Sequence, residues 1–205
     1  MLTLHYAPGT IAAAVAITLN EVGADYDSLR INFSEKEQRS AAYLAINPKG
    51  RVPALGTPQG VLTETSAILD YVAATHPQAG IVPADPFRAA QMRSVMTYLA
   101  STMHVNHAHG MRGARWADEE SSWSDMRAKV SQTMSESAQY IETYALQGRY
   151  VLGDTFSLAD PYLFMVSTWL AGDGVDIGRY PRFAAFQKLM WQRPSVRVAL
   201  SDGYL

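Results

Sequence analysis

The sequence predicts an α/β domain over residues 1–76 and an all-helical domain over 87–205, joined by a linker at 77–86. Three observations carry this. Short strand-like runs occur only before Thr63, and they are interleaved with helical runs. Pro77 to Pro86 gathers three prolines with Gly80 and Ala84-Asp85, a composition that interrupts regular structure. Beyond it the apolar residues keep helical spacing.

Leu2-Thr3-Leu4-His5-Tyr6 alternates and reads as a first strand. Pro8-Gly9 turns the chain, and Thr10 to Val22 is helical, stopped by Gly23. Tyr26 to Ile31 is a second strand, and Glu35 to Leu44 a polar helix. Val52 to Thr57 and Gly60 to Thr63 form a hairpin, and Glu64 to Thr75 a helix that ends before Pro77. This β-α-β-α-β-β-α order is that of a thioredoxin-like domain. In the second domain, helices are expected over Phe87 to about Arg115, Trp123 to Ala145, Ser157 to Ala171 and Pro181 to Arg193. Ser157 and Asp160 have the spacing of a capping box, a folding element. Tyr162, Phe164, Met165, Trp169 and Trp191 are expected in the core.

Composition narrows the function. The chain has 205 residues, 48% hydrophobic and 18% charged, enough for a substantial core. A net charge of −2 without a basic block gives no electrostatic footprint for nucleic acid. There is no cysteine, which excludes disulfides, zinc–thiolate sites and a cysteine nucleophile. The apolar stretch Ile11 to Leu19 has no preceding Lys or Arg and runs on into Asn20-Glu21. It is far below the ~20 residues a membrane span needs, so it reads as a buried helix rather than a leader or an anchor. A cytoplasmic location is expected.

The chemistry concentrates in Asn47-Pro48-Lys49-Gly50-Arg51-Val52-Pro53-Ala54-Leu55 and Leu62-Thr63-Glu64-Thr65-Ser66. Pro53 cannot donate to a sheet ladder. A cis bond from Val52 would turn the Val52 N–H and C=O outward, where a peptide-like ligand can pair as an added strand. Glu64, Thr65 and Ser66 open a helix whose N–H groups attract a carboxylate. Together they form a socket for a small anionic peptide.

These residues resemble the glutathione transferase superfamily. There the residue before a cis-proline binds the cysteinyl backbone of glutathione, and a Glu-Ser pair, here Glu64-Thr65, binds its γ-glutamyl end. Leu4-His5-Tyr6-Ala7-Pro8-Gly9 resembles the first strand and turn of the bacterial beta class. Phe156-Ser157-Leu158-Ala159-Asp160 matches the family's buried capping box, and Arg193-Pro194-Ser195-Val196 its last-helix ending. The resemblance implies the glutathione transferase fold, glutathione as co-substrate bound by Val52, Pro53, Glu64 and Thr65, a small electrophile as second substrate, and a homodimer. It implies conjugation of glutathione or reduction of a peroxide.

The chain departs from the beta class where that class carries an activating cysteine. Ile11 stands there, followed by Ala12, and neither side chain donates a hydrogen bond. Tyr6 matches a family tyrosine but shares strand parity with Leu2 and Leu4, so core packing and a thiol role both remain open. Thr10 is placed to cap the first helix or to meet the sulfur. A non-catalytic glutathione-binding or stress-regulatory protein is the alternative function. On the long helix, His104 matches a histidine that reaches the beta-class active site, with Val105 where a basic residue often follows. His107, Arg112 and Arg115 would make the electrophile pocket cationic and favour acidic substrates. The spacing of His104, His107 and His109 invites a metal, but one helix orients only two of these rings together and no carboxylate completes a set, so no metal is expected.

Overall fold

The computed structural model describes all 205 residues, Met1–Leu205. They form two compact units: Met1–Val82 with Trp191–Leu205, and Pro83–Met190.

In the first unit, strands β1 (Leu2–Tyr6), β2 (Tyr26–Arg30), β3 (Ala54–Thr57) and β4 (Gly60–Thr63) build one sheet in the order β2-β1-β3-β4. β1 and β2 are parallel, and the other pairs are antiparallel. Between β1 and β2 runs α1 (Ala12–Val22), buried from Ala12 to Leu19. Four of those residues are alanines, so neighbouring elements approach its backbone closely. Gly23 ends the helix at φ +69°, a conformation other residues adopt at a cost.

The polar helix expected over Glu35–Leu44 is divided. A 3-10 turn at Glu37–Arg39 precedes α2 (Ala41–Ile46), because the Ser40 hydroxyl accepts from the Tyr43 N–H at 3.1 Å and caps a new helix. α3 (Thr65–Thr75) follows β4 directly.

In the second unit, Asp85 caps α4 (Pro86–Tyr98) by accepting from the Arg88 N–H at 2.9 Å. The long helix expected from Phe87 is interrupted by a π-helical turn at Leu99–Met103 and resumes as α5 (His104–His109). A 3-10 turn at Gly113–Arg115 leads on to α6 (Glu120–Tyr140), which ends in a second π-helical turn at Ile141–Ala145. Gly113 must be glycine, since a Cβ there would sit 2.8 Å from the Trp123 side chain. α7 (Ala159–Ser167) is buried along its whole length. The fully buried Asp160 carboxylate accepts from Val151 N–H at 2.9 Å and from Ser157 N–H and hydroxyl at 2.6 and 2.8 Å. This is the folding role expected of the Ser157–Asp160 pair.

α8 (Pro181–Trp191) is followed by α9 (Pro194–Ser201). Arg193-Pro194-Ser195-Val196, read in the sequence as an ending, instead opens α9, because a proline lacks the N–H to continue a helix but suits a first turn. The sequence pattern groups the segment from Trp191 on with the helical domain. In the structure it packs in the first unit, α9 against α1. Tyr162, Phe164 and Met165 are core, whereas Trp169 is half-buried and Trp191 exposed. No helix is long and apolar enough to cross a membrane.

Candidate functional site: a peptide socket at one end of the sheet

Strand register brings the predicted socket together. His5 pairs with Ala54, and Ala54 with Thr63. One step beyond this row, at the same end of the sheet, stand Tyr6, Pro53 and Glu64. They are distant in sequence and adjacent in topology.

Val52–Pro53 is cis. The preceding loop is held from below: the Arg51 carbonyl accepts from the Tyr43 hydroxyl and from Asn47 Nδ2, each at 2.7 Å. Asn47 is 1% exposed, and its Oδ1 also accepts from the Lys49 N–H at 3.2 Å. Burial pushes the Tyr43 phenol up to about 12, opposed in part by its contact with Asn47, so it stays a donor. Val52 itself, half-buried, has an N–H and C=O that no hydrogen bond within the fold engages.

Glu64 stands at the head of α3 with φ +71° and ψ 119°, one of two non-glycine residues at positive φ. Its carboxylate does not cap the helix. It lies 2.5 Å from Lys49 Nζ, which also donates to Thr63 Oγ1 at 2.7 Å. The first intrahelical bond is Ile68 N–H to Glu64 C=O, which leaves the N–H groups of Thr65, Ser66 and Ala67 ahead of it without intrahelical partners. A carboxylate and a row of free N–H groups thus sit side by side, a match for a ligand that carries both an ammonium and a carboxylate.

At the β1–α1 turn, Tyr6 is 8% exposed, and its ring lies 4.1 Å from that of Tyr204. The Tyr204 carbonyl accepts from the Gly9 N–H at 2.9 Å, so the C-terminal segment pins this turn. The Thr10 hydroxyl donates its single proton to Ala7 C=O at 2.7 Å and accepts a long bond, 3.4 Å, from Ala12 N–H. It has no second proton to offer a sulfur. The Ile11 N–H has no partner within the fold.

The remaining predicted residues, His104, His107 and Arg112, belong to the second unit. His107 is not an isolated base. Its Nδ1 lies 2.9 and 2.8 Å from the two carboxylate oxygens of Asp173, and its ring stacks on Trp169. No group of three or more His, Asp or Glu side chains has metal-holding geometry.

Sequence reasoning did not single out Lys49, Tyr43, Asn47, Asp173 or Tyr204. Asn47 and Lys49 lie inside the quoted run, where Asn before a Pro-Lys-Gly turn signals a side-chain turn. Asp173 and Tyr204 carry no local signal.

The fold and socket define a two-unit, glutathione-transferase-like protein. The family model for the glutathione S-transferase N-terminal domain matches residues 1–74. Over 97% of its length the chain is 29% identical to glutathione S-transferase GstA of Escherichia coli O157:H7, covering 96% of it. It is 30% identical, over 95% of its length, to maleylacetoacetate isomerase of Pseudomonas aeruginosa, covering 92% of it. A crystal structure of a Sulfitobacter glutathione transferase homologue with bound glutathione superposes with TM-score 0.99. It is 56% identical, with 100% of this chain and 99% of that one covered. The chain belongs to the glutathione S-transferase family, whose structural neighbours here include the bacterial beta class.

Proposed function

We propose that this protein catalyses attack of the glutathione thiolate on a small electrophile. The carrying observation is the unengaged Val52 peptide in the same end row as Glu64 and the free N–H groups of α3. In this reading the cysteinyl backbone of glutathione pairs with Val52 beside Pro53. Its α-carboxylate meets the N–H groups of Thr65 and Ser66, and its ammonium meets Glu64, sharing or displacing Lys49. The bound glutathione in the Sulfitobacter homologue supports the ligand.

The thiolate lies toward Tyr6 and Thr10. With the Thr10 hydroxyl committed to Ala7, the anion takes the free Ile11 N–H and the positive end of α1. On the electrophile side, His104, His107 and Arg112 favour an acidic substrate. The relative named maleylacetoacetate isomerase supports that class. Reduction of a peroxide is a further outcome open to the same thiolate. A cytoplasmic homodimer is part of the reading.

A second reading, a glutathione-binding protein without turnover, is favoured by Ile11 standing where the beta class has its cysteine, with Ala12 next to it. Calorimetry with glutathione followed by a panel of electrophiles separates the two: binding with turnover supports the enzyme, binding without turnover the second reading, and no binding at millimolar glutathione ends both. Thr10→Ala is expected to lower kcat less than about tenfold. A loss of a hundredfold or more, roughly 2.7–4 kcal/mol, would make the hydroxyl the activator.

A further inference from the structure

The second unit contains a hollow that the proposed reaction does not use. Its volume is about 360 Å³, toward the lower end of the ~300–1,000 Å³ of small-ligand sites. Gly148 and Arg149 line it from the loop before α7, and Arg182, Ala185, Phe186 and Leu189 from α8. These residues all belong to the second unit, so the hollow is complete within it.

Both walls are held in place. In the loop, the Tyr150 N–H donates to the Gly153 carbonyl at 2.8 Å, and the Gly153 N–H returns to Tyr150 at 3.3 Å. Gly148 packs so closely on Gly153 that a Cβ would lie 2.8 Å from its backbone. On α8, Arg182, Ala185, Phe186 and Leu189 recur at three- and four-residue intervals and therefore share one face. Phe186 is 2% exposed, which gives the hollow an apolar surface on a fixed ring.

The polar edge is cationic and not neutralised. The Arg182 guanidinium is anchored on main chain: Nη1 donates to the Glu142 carbonyl at 2.9 Å, and Nη2 to the Leu146 carbonyl. Of its five N–H donors two are thus spent and three are left. The Glu142 carboxylate accepts from the N–H groups of Arg182 and Phe183, at 3.2 and 2.9 Å, and forms no ion pair with the guanidinium. The Arg149 side chain has no hydrogen bond or ion pair within the fold. No acidic side chain lines the hollow. One unpaired surface arginine is ordinary, but here two guanidiniums without a carboxylate border the same apolar hollow.

We propose that this hollow binds a small amphipathic monocarboxylate. Its carboxylate lies on the Arg149 and Arg182 guanidiniums, whose planar forks match two carboxylate oxygens. Its apolar body lies against Phe186, Ala185 and Leu189. The apolar wall offers no partner for a second charge, so a dicarboxylate such as glutathione is disfavoured there. The site is separate from the socket on the first unit, and it stands whether or not the chain turns over an electrophile.

The test is calorimetry on the full chain with octanoate, and with octanol as the uncharged counterpart, each with and without millimolar glutathione. The wild type is expected to bind one octanoate, unaffected by glutathione, and to bind octanol at least tenfold more weakly. Arg149→Glu reverses the charge at the edge, and Ala185→Trp fills the hollow. Each is expected to weaken octanoate binding roughly tenfold or more. Both side chains are exposed, so the urea midpoint is expected to be unchanged. Arg149→Gln, with a smaller loss, takes the place of Arg149→Glu if that variant does not fold. A wild type that takes up no octanoate at millimolar concentration overturns the proposal. Octanoate binding that the variants leave unchanged, or that glutathione displaces, places the carboxylate elsewhere and overturns it too. Octanol bound as tightly as octanoate overturns the role of the arginines.

Discussion

Glu64 carries a backbone conformation that L-residues avoid, and it does so at the point where a ligand ammonium is expected. Such strain costs of order 1–3 kcal/mol, and a glycine would not bear it. Glu64→Gly is therefore expected to raise the stability of the ligand-free protein by about 1 kcal/mol in urea unfolding, while losing glutathione. Glu64→Gln keeps the shape and removes the charge. Calorimetry is expected to show glutathione binding weaker by about 1–3 kcal/mol, and an unchanged dissociation constant with the fold intact would remove Glu64 from the socket. His5 is the other residue with an unmet demand. It is buried on β1, its Nδ1 has no partner, and burial lowers its pKa from 6.5. The unfolded chain therefore takes up this proton first. The stability held by neutral His5 is complete above pH 6.5 and is lost as pH falls from there through the lowered folded value. Urea midpoints compared at about pH 7.5 and about pH 5 should fall less in His5→Phe than in the wild type. An equal fall in both would show that His5 protonation does not contribute.

At the scale of the element, α9 and the C-terminal residues act as part of the first unit. The Glu21 carboxylate on α1 accepts from the Ser195 hydroxyl at 2.6 Å and pairs with the Arg193 guanidinium. Asn20 Nδ2 donates to the Ser195 carbonyl at 3.3 Å. Glu21→Ala strips the Ser195 hydroxyl and the Arg193 guanidinium of their partner carboxylate at once and is expected to cost about 1–3 kcal/mol, read as a lower urea midpoint. Farther along, Tyr204, 1% exposed, stacks on Tyr6, contacts the Ser28 hydroxyl, and takes the Gly9 N–H on its carbonyl. Truncation after Ser201 removes that pin from the β1–α1 turn. We expect the truncated protein to lose turnover with any electrophile more than it loses glutathione affinity, because the turn carries Thr10 and the Ile11 N–H, which the proposed reading sets toward the glutathione thiolate, whereas Val52, Glu64 and the start of α3 lie outside it. Equal losses in kcat and in affinity would show that the pin supports the whole unit.

For the whole molecule, the proposed reading places glutathione on the first unit. Glutathione bound only by the native state should raise the melting temperature with concentration, following the dissociation constant found by calorimetry. Light scattering is expected to report twice the 22.5 kDa chain mass at micromolar concentration. A monomer there would remove the homodimer from the reading.

The amino-acid sequence by itself determined the order of strands and helices and the place of the linker. It also singled out the Val52-Pro53 and Glu64-Thr65 pairs on which the proposed socket rests. These are local matters: alternation, helical spacing, turn residues and a proline that cannot join a ladder act over a few neighbouring positions. Their limits show at Ser40 and Pro194, where one cap and one missing N–H divided helices that apolar spacing alone had joined or ended. Only the tertiary structure decided which groups face one another. It put Lys49 on Glu64, spent the Thr10 proton on Ala7, brought Tyr204 back to Gly9, and set Asp173 against His107. Such contacts follow from packing elements far apart in the chain, which no local pattern encodes.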